Sequence, residues 1–238
     1  MKREKLYWLP NLLTTMTLIC GFYAIVLAMR GNSQSAVQAV IAAMLFDFLD
    51  GWVARKTNTV SVFGKEYDSL CDMVAFGLSP ALITYHCLLM EWHQVAWIIP
   101  AIYSSAVAMR LAKFNSKESS NAAFEGLPCT AAAPLVVLSC YFIDIHNVPS
   151  DLAYLSLSLV ILLTATMMNV DVKYRSFKQN KKMLHVGRLY IVAALILASC
   201  VFWPFATLYG VLVMYLFSPI MMCRQRVMKW CGKAFSLN

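Results

Sequence analysis

Long apolar runs, separated by short polar segments, dominate the hydrophobic pattern of this chain. A helix needs about 20 apolar residues to cross a bilayer. Eight runs approach that length, at about 8–29, 35–54, 67–89, 94–112, 128–145, 151–169, 187–203 and 206–222. Pro204 lies between the last two, which is typical of a tight turn between antiparallel helices. The pattern therefore predicts an all-α fold, a polytopic membrane bundle of about eight transmembrane helices.

Composition narrows the class of protein further. The chain has 238 residues, of which 60% are hydrophobic, and a mean hydropathy of +0.63. A soluble domain would be nearer half apolar. Because the polar segments are too short to form a second core, we expect a single membrane domain over 1–238. We divide it into a six-helix core over about 1–182 and two further spans over about 187–222.

The charge of the chain predicts its orientation. The net charge is +8, but no nucleic-acid-binding motif is visible, so membrane lipid and not nucleic acid is the expected partner. In the eight-span arrangement every Lys and Arg except Arg30 falls on one face. The positive-inside rule makes that face cytoplasmic. We expect a multi-pass protein of the cell (inner) membrane, with both termini in the cytoplasm.

Two pairs of aspartates interrupt the apolar runs near the predicted cytoplasmic face. Asp47 and Asp50 lie late in the second run, and Asp68 and Asp72 lie early in the third, after a loop predicted at about 56–66. Residues at i and i+3, or i and i+4, share a helix face, so each pair projects together and the two pairs can face each other.

Four converging carboxylates would repel one another unless cations lay between them. Oxygen ligands favour Mg²⁺ or Mn²⁺ over zinc, and two such ions could neutralise a diphosphate. The small residues Gly51 and Ala54 leave room for a substrate, Gly64 opens the second helix, and Arg55 suits a phosphate. The alternatives are salt bridges between helices or a cation pathway through the membrane.

The full pattern reads D-x2-D-G-x2-A-R-x8-G-x3-D-x3-D and resembles the signature of the CDP-alcohol phosphotransferases. These are membrane enzymes that move a phosphatidyl group from a CDP-linked lipid to an alcohol. The segments 63–81, 110–115 and 124–133 resemble the branch of this family that uses L-serine. The resemblance covers most of the chain to about residue 180. Within it, Lys113, Thr130 and Cys71 depart from the expected pattern.

The resemblance implies roles for the matched residues. Two divalent cations would be held by Asp47, Asp50, Asp68 and Asp72, and Asp72 would also act as the general base. The CDP-lipid would contact Asn11, Asp50, Gly51, Ala54, Arg55 and Gly64. The implied substrates are CDP-diacylglycerol and L-serine, the products are phosphatidylserine and CMP, and the implied assembly is a homodimer.

Serine also needs a partner for its carboxylate, which the aspartates cannot supply. Arg110 and Lys113 are the best candidates from the sequence, and Asn115 could add a hydrogen bond. An equally simple interpretation is that the two basic residues anchor the helix at the cytoplasmic face. Two alternatives for function stay open: the same chemistry with choline, glycerol 3-phosphate or an inositol phosphate as acceptor, or a cation transporter. A transporter would leave Gly51, Ala54, Arg55 and Gly64 unexplained.

Overall fold

A computed structural model of the chain describes residues 8–86, 95–116, 126–170 and 205–216. Within these ranges the protein is all-helical and contains no strand. The helices are α1 (Trp8–Met29), α2 (Ser33–Thr57), α3 (Val62–Asp72), α4 (Ser79–Thr84), α5 (Ile98–Ser116), α6 (Cys129–Ile145), α7 (Ser150–Asn169) and α8 (Phe205–Leu216). A π-helical turn, Met73–Leu78, joins α3 to α4.

The predicted spans coincide well with these helices. The first six each fall on a helical stretch, the third of them on α3, the π-helical turn and α4 together. The eighth overlaps α8, whereas 187–203 lies outside the described residues. Helices α1, α2 and α7 are long and apolar enough to cross a bilayer, so we describe a membrane protein. The number of eight spans and the six-helix core stay predictions.

The loop predicted at 56–66 is shorter than expected. Helix α2 continues to Thr57 and ends at Asn58, which has a left-handed φ of 54° and donates its backbone N–H to the Ala54 carbonyl. Helix α3 begins after Ser61, whose hydroxyl accepts a hydrogen bond of 2.9 Å from the Gly64 N–H. These two caps confine the loop to four residues, so Gly64 lies in the first turn of α3.

The described helices belong to two units. One unit comprises 1–121 and 127–169, and the other comprises 122–126 and 170–238. The first unit contains α1 to α7 and all of the predicted site residues. Of the second unit, helix α8 and the single residues Gly126 and Val170 are described.

Hydrogen bonds between helices define two ends of the first unit. At one end, Asn115 near the end of α5 binds Ser69 of α3 at 3.0 Å. The Leu127 N–H, just before α6, binds the Met167 carbonyl near the end of α7. At the other end, Ser33 at the start of α2 binds Asp144 near the end of α6 at 2.8 Å. The first of these ends also holds the aspartates of α2 and α3, and we call it the carboxylate end.

The π-helical turn begins directly after Asp72 and is held in place by α5 and α1. Widening the helix changes the backbone hydrogen-bond pattern. Tyr103 donates its hydroxyl to the Phe76 carbonyl at 3.1 Å, and Ser104 donates to the Gly77 carbonyl at 3.2 Å. On the other side, a Cβ placed on Gly21 of α1 would lie 2.5 Å from Ala75 Cα. The absence of a side chain at Gly21 therefore lets α1 pack directly on this turn.

Candidate metal and substrate site

Three of the four predicted carboxylates converge at the carboxylate end. Asp47, Asp50 and Asp68 each offer a carboxylate oxygen, and these oxygens all lie within 4.8 Å of one another. Asp50 is buried, while Asp47 and Asp68 are half-buried. The expectation that the pairs on α2 and α3 face each other is therefore confirmed for these three residues.

Asp72 adjoins this cluster and is buried, with 7% of its surface exposed. It interacts electrostatically with Asp47 and Asp68. Its Oδ2 accepts a long contact of 3.9 Å from the Cys129 thiol, while its buried Oδ1 has no hydrogen-bond partner in the part of the chain that the structure describes. A buried carboxylate oxygen without a partner is costly, so this atom is suited to a ligand.

The donor set fits a divalent cation. Carboxylates this close repel unless a proton or a cation lies between them. The group offers only oxygen donors, which Mg²⁺ and Mn²⁺ prefer. The Oδ1 of Asp72 adds an oxygen that no group of the described residues satisfies. The arrangement can therefore hold a metal ion.

Thr14 of α1 orients one of the carboxylates, and sequence reasoning missed it. Its hydroxyl lies 2.7 Å from Asp50 Oδ2 and 3.0 Å from the Pro10 carbonyl. Both Thr14 and Asp50 are buried. The sequence indicated this role only weakly. Thr14 follows Asn11 by three residues and so shares its helix face, but a threonine in an apolar helix can also bond to the backbone of its own helix.

The residues expected to contact the CDP-lipid lie around the same end. A Cβ on Gly64 would lie 3.5 Å from Asn11 Oδ1, so α1 and α3 bring these two predicted residues together. A Cβ on Gly51 would lie 3.2 Å from Arg55 Nη1. The Arg55 guanidinium therefore lies over the bare backbone of Gly51. Ala54 is half-buried on the same helix. Their contacts with a nucleotide stay predictions.

Arg110 lies near Asp72, the predicted general base, although the two residues are far apart in the sequence. Its Nη1 donates to Cys129 Sγ at 3.3 Å, and the same sulfur lies 3.9 Å from Asp72 Oδ2. The Nε of Arg110 is buried and has no hydrogen-bond partner among the described residues. Arg110 thus turns inward beside the carboxylates instead of extending to the membrane surface.

Asn115 joins α5 to α3, one turn beyond Arg110. Its amide nitrogen donates to Glu66 Oε2 and to Ser69 Oγ, each at 3.0 Å. Its Oδ1 is buried without a partner. Lys113 is exposed on the same helix. Serine binding by these two residues stays a prediction, and the structure assigns Asn115 a role in packing.

The chain is similar to known proteins over most of its length. Residues 7–170 match the family model described as CDP-alcohol phosphatidyltransferase. The chain is 36% identical over 215 residues to the CDP-diacylglycerol--serine O-phosphatidyltransferase of Helicobacter pylori strain J99, covering 89% of each chain. It is 34% identical over 193 residues to the protein of the same name from Methanocaldococcus jannaschii, covering 81% of this chain and 86% of the relative.

A third relative has a different name. The chain is 30% identical over 160 residues to the archaetidylserine synthase of Methanothermobacter thermautotrophicus, covering 66% of this chain and 67% of the relative. The family model spans well over half of the chain and includes every predicted site residue. The chain belongs to the CDP-alcohol phosphatidyltransferase family.

Proposed function

We propose that this protein transfers the phosphatidyl group from CDP-diacylglycerol to L-serine, which yields phosphatidylserine and CMP. Family membership supports the reaction class. The names of several relatives support serine as the acceptor. One observation on this chain carries the proposal further: the guanidinium of Arg110 and the carboxylate of Asp72 both contact a single sulfur atom, that of Cys129.

This spacing suits a small acceptor with an acidic end and a hydroxyl end. Arg110 Nη1 lies 3.3 Å from Cys129 Sγ, and Asp72 Oδ2 lies 3.9 Å from the same sulfur. The nitrogen and the oxygen can therefore be no further apart than the sum of these two distances. In serine the hydroxyl oxygen lies about 3–4 Å from the nearer carboxylate oxygen, given ordinary bond lengths. A hydrogen bond of about 2.8 Å at each end meets the serine oxygen at an angle and not in a straight line, so serine can bridge two groups that lie within this limit.

The proposed reaction is an in-line displacement at phosphorus. Asp72 accepts the proton of the serine hydroxyl, because this alcohol is a poor nucleophile without a positioned base. The serine oxygen forms a bond to the phosphorus that carries diacylglycerol. The bond from that phosphorus to the CMP oxygen breaks, and CMP leaves with the electron pair. Two divalent cations, Mg²⁺ or Mn²⁺, held by Asp47, Asp50, Asp68 and Asp72 would neutralise the diphosphate and the developing charge.

Other residues would bind and orient the two substrates. Arg55, which lies over Gly51, would pair with a phosphate oxygen of the CDP group. Asn11 and Gly64 would line the other side of the nucleotide. Arg110 would hold the serine carboxylate. An arginine at that place disfavours choline, whose quaternary ammonium it would repel, but it does not disfavour glycerol 3-phosphate or an inositol phosphate.

The cellular setting follows from the charge pattern. The carboxylate end includes Arg55 and Lys56 in the last turn of α2 and Lys113 in the last turn of α5, so the positive-inside rule directs it to the cytoplasm. We therefore propose an inner-membrane protein with a cytoplasmic active site, where soluble serine is available. Assembly as a homodimer stays a prediction.

The deciding experiment measures CMP release by detergent-purified protein with CDP-diacylglycerol and Mn²⁺. Release that requires L-serine, and is absent with choline, glycerol 3-phosphate or inositol phosphate, is the expected result. Release with a different acceptor alone would retain the reaction class and refute serine. If folded protein gave no release with any acceptor but carried Mn²⁺ across a vesicle membrane, the transporter alternative would replace this proposal.

A further inference from the structure

Cys129 is the first residue of α6 and contacts the two groups that the proposed reaction assigns to serine. Only 3% of its surface is exposed. Its sulfur accepts from Arg110 Nη1 at 3.3 Å and contacts Asp72 Oδ2 at 3.9 Å. The aspartate signature ends at Asp72 and does not include this cysteine.

The surroundings of Cys129 differ from those of a cysteine that only fills space. A thiol is a weak donor and a weak acceptor, so this one can accept from the guanidinium and donate to the carboxylate. The two groups that contact the thiol each carry a further buried polar atom, Arg110 Nε and Asp72 Oδ1, which has no hydrogen-bond partner among the described residues. Two charged groups therefore retain unused hydrogen-bonding capacity next to one sulfur.

A direct pair between Arg110 and Asp72 would remove that capacity. Arginine and a carboxylate commonly form two parallel hydrogen bonds, which are among the strongest side-chain contacts. Such a pair would cover the Asp72 oxygen that takes the proton and the guanidinium face that holds the serine carboxylate. The Cys129 sulfur contacts both charged groups and so offers each of them a partner other than the opposite charge.

We infer that Cys129 is a positioning residue, which holds Arg110 and Asp72 apart at the spacing of the two ends of serine. The inference rests on the proposed function. It predicts that loss of the thiol impairs serine use more than it impairs CDP-diacylglycerol use, because Arg110 then moves toward Asp72 and occupies the place of the acceptor.

The test compares steady-state kinetics of full-length Cys129→Ala, Cys129→Ser and wild-type protein. Cys129→Ala should raise the KM for serine about ten-fold, the loss expected for about one charge-assisted hydrogen bond, and leave the KM for CDP-diacylglycerol within two-fold. Cys129→Ser retains a donor and an acceptor and should recover most of the serine affinity. Cys140→Ala is the matched control, since Cys140 is buried on the same helix about 16 Å further along.

The outcomes separate a positioning role from a packing role. If Cys129 only fills space, a buried hydroxyl should be no better than alanine, so a serine KM in Cys129→Ser as high as that of Cys129→Ala would overturn the inference. An unchanged serine KM in Cys129→Ala would also overturn it. If Cys129→Ala does not fold, the serine KM of Cys129→Ser decides alone. A value within three-fold of wild type would support the inference, and a larger rise would oppose it.

Failure of the proposed function would look different. In that case the wild-type protein itself would show no serine-dependent CMP release. The positioning role alone would be rejected by a different result. In that result the wild-type protein releases CMP only with serine, but the Cys129 variants change the KM for serine and the KM for CDP-diacylglycerol to the same extent.

Discussion

The hydrogen bond from Thr14 to Asp50 allows a sharp test of the metal site. Thr14→Val keeps the size and the branching of the side chain but removes the hydroxyl, which lies 2.7 Å from Asp50 Oδ2. Both residues are buried, so water cannot readily replace the lost donor. The carboxylate of Asp50 should then rotate more freely and meet Asp47 and Asp68 in a less favourable orientation.

The expected magnitude follows from the strength of such a bond. A hydrogen bond to a charged group contributes about 1.5–3 kcal/mol, and each 1.4 kcal/mol corresponds to about ten-fold in an equilibrium constant. Removing a group that orients a metal ligand typically weakens metal binding about 10–100-fold. We therefore expect the Mn²⁺ concentration for half-maximal CMP release to rise about ten-fold or more.

Thr17→Val is the matched control. Thr17 is also buried on α1, but its hydroxyl donates to the Leu13 carbonyl of the same helix. Mn²⁺ binding is measured directly by calorimetry and indirectly by the metal dependence of CMP release. The reasoning would be refuted if Thr14→Val and Thr17→Val had the same Mn²⁺ affinity, since a general effect of valine in α1 would then account for both.

Substitutions at three further residues test the base, the serine contact and the packing of α1. Asp72→Asn should lower turnover at least a hundred-fold, the usual contribution of a positioned base, while the protein still purifies as a folded species. Arg110→Ala should raise the KM for serine about ten-fold or more without a similar change for CDP-diacylglycerol, and Arg110→Lys should recover only part of the loss because lysine lacks the forked donors. Gly21→Ala should lower Tm by several degrees, because its Cβ would lie 2.5 Å from Ala75 Cα and overpacking costs about 1–3 kcal/mol.

Each of these has a control or a contrary result. Near-normal turnover in Asp72→Asn would remove Asp72 as the base. Equal effects of Arg110→Ala on both substrates would indicate that Arg110 anchors the helix instead. Gly210→Ala serves as the control for Gly21→Ala, because no atom of the described residues lies within 4 Å of a Cβ placed at Gly210. A similar loss of Tm in both variants would contradict the packing argument.

Local features of the chain predict the helices of this protein. Hydropathy over about 20 residues locates a span without knowledge of its neighbours, and six predicted spans coincide with helical stretches. The predicted loop at 56–66 was wrong at both ends, because capping by Asn58 and Ser61 lets the polar residues of this segment extend both helices.

The carboxylate cluster was also predictable, since helical spacing places Asp47 beside Asp50 and a short loop returns the chain past them. The contacts that orient the cluster were not predictable. Thr14 and Asp50 are 36 residues apart, and Cys129 and Asp72 are 57 residues apart. Neither pair shares a helix, and no periodicity relates one to the other.

The sequence by itself determined that the chain is a helical membrane protein with four carboxylates beside a membrane face, because hydropathy and helical spacing are properties of adjacent residues. Only the tertiary structure decided which side chains complete the site. Whether Arg110 extends to the surface or turns inward toward Cys129 depends on how α5 and α6 pack against α3. That packing is set by contacts between helices distant in the chain, such as Gly21 against Ala75 and Tyr103 against Phe76.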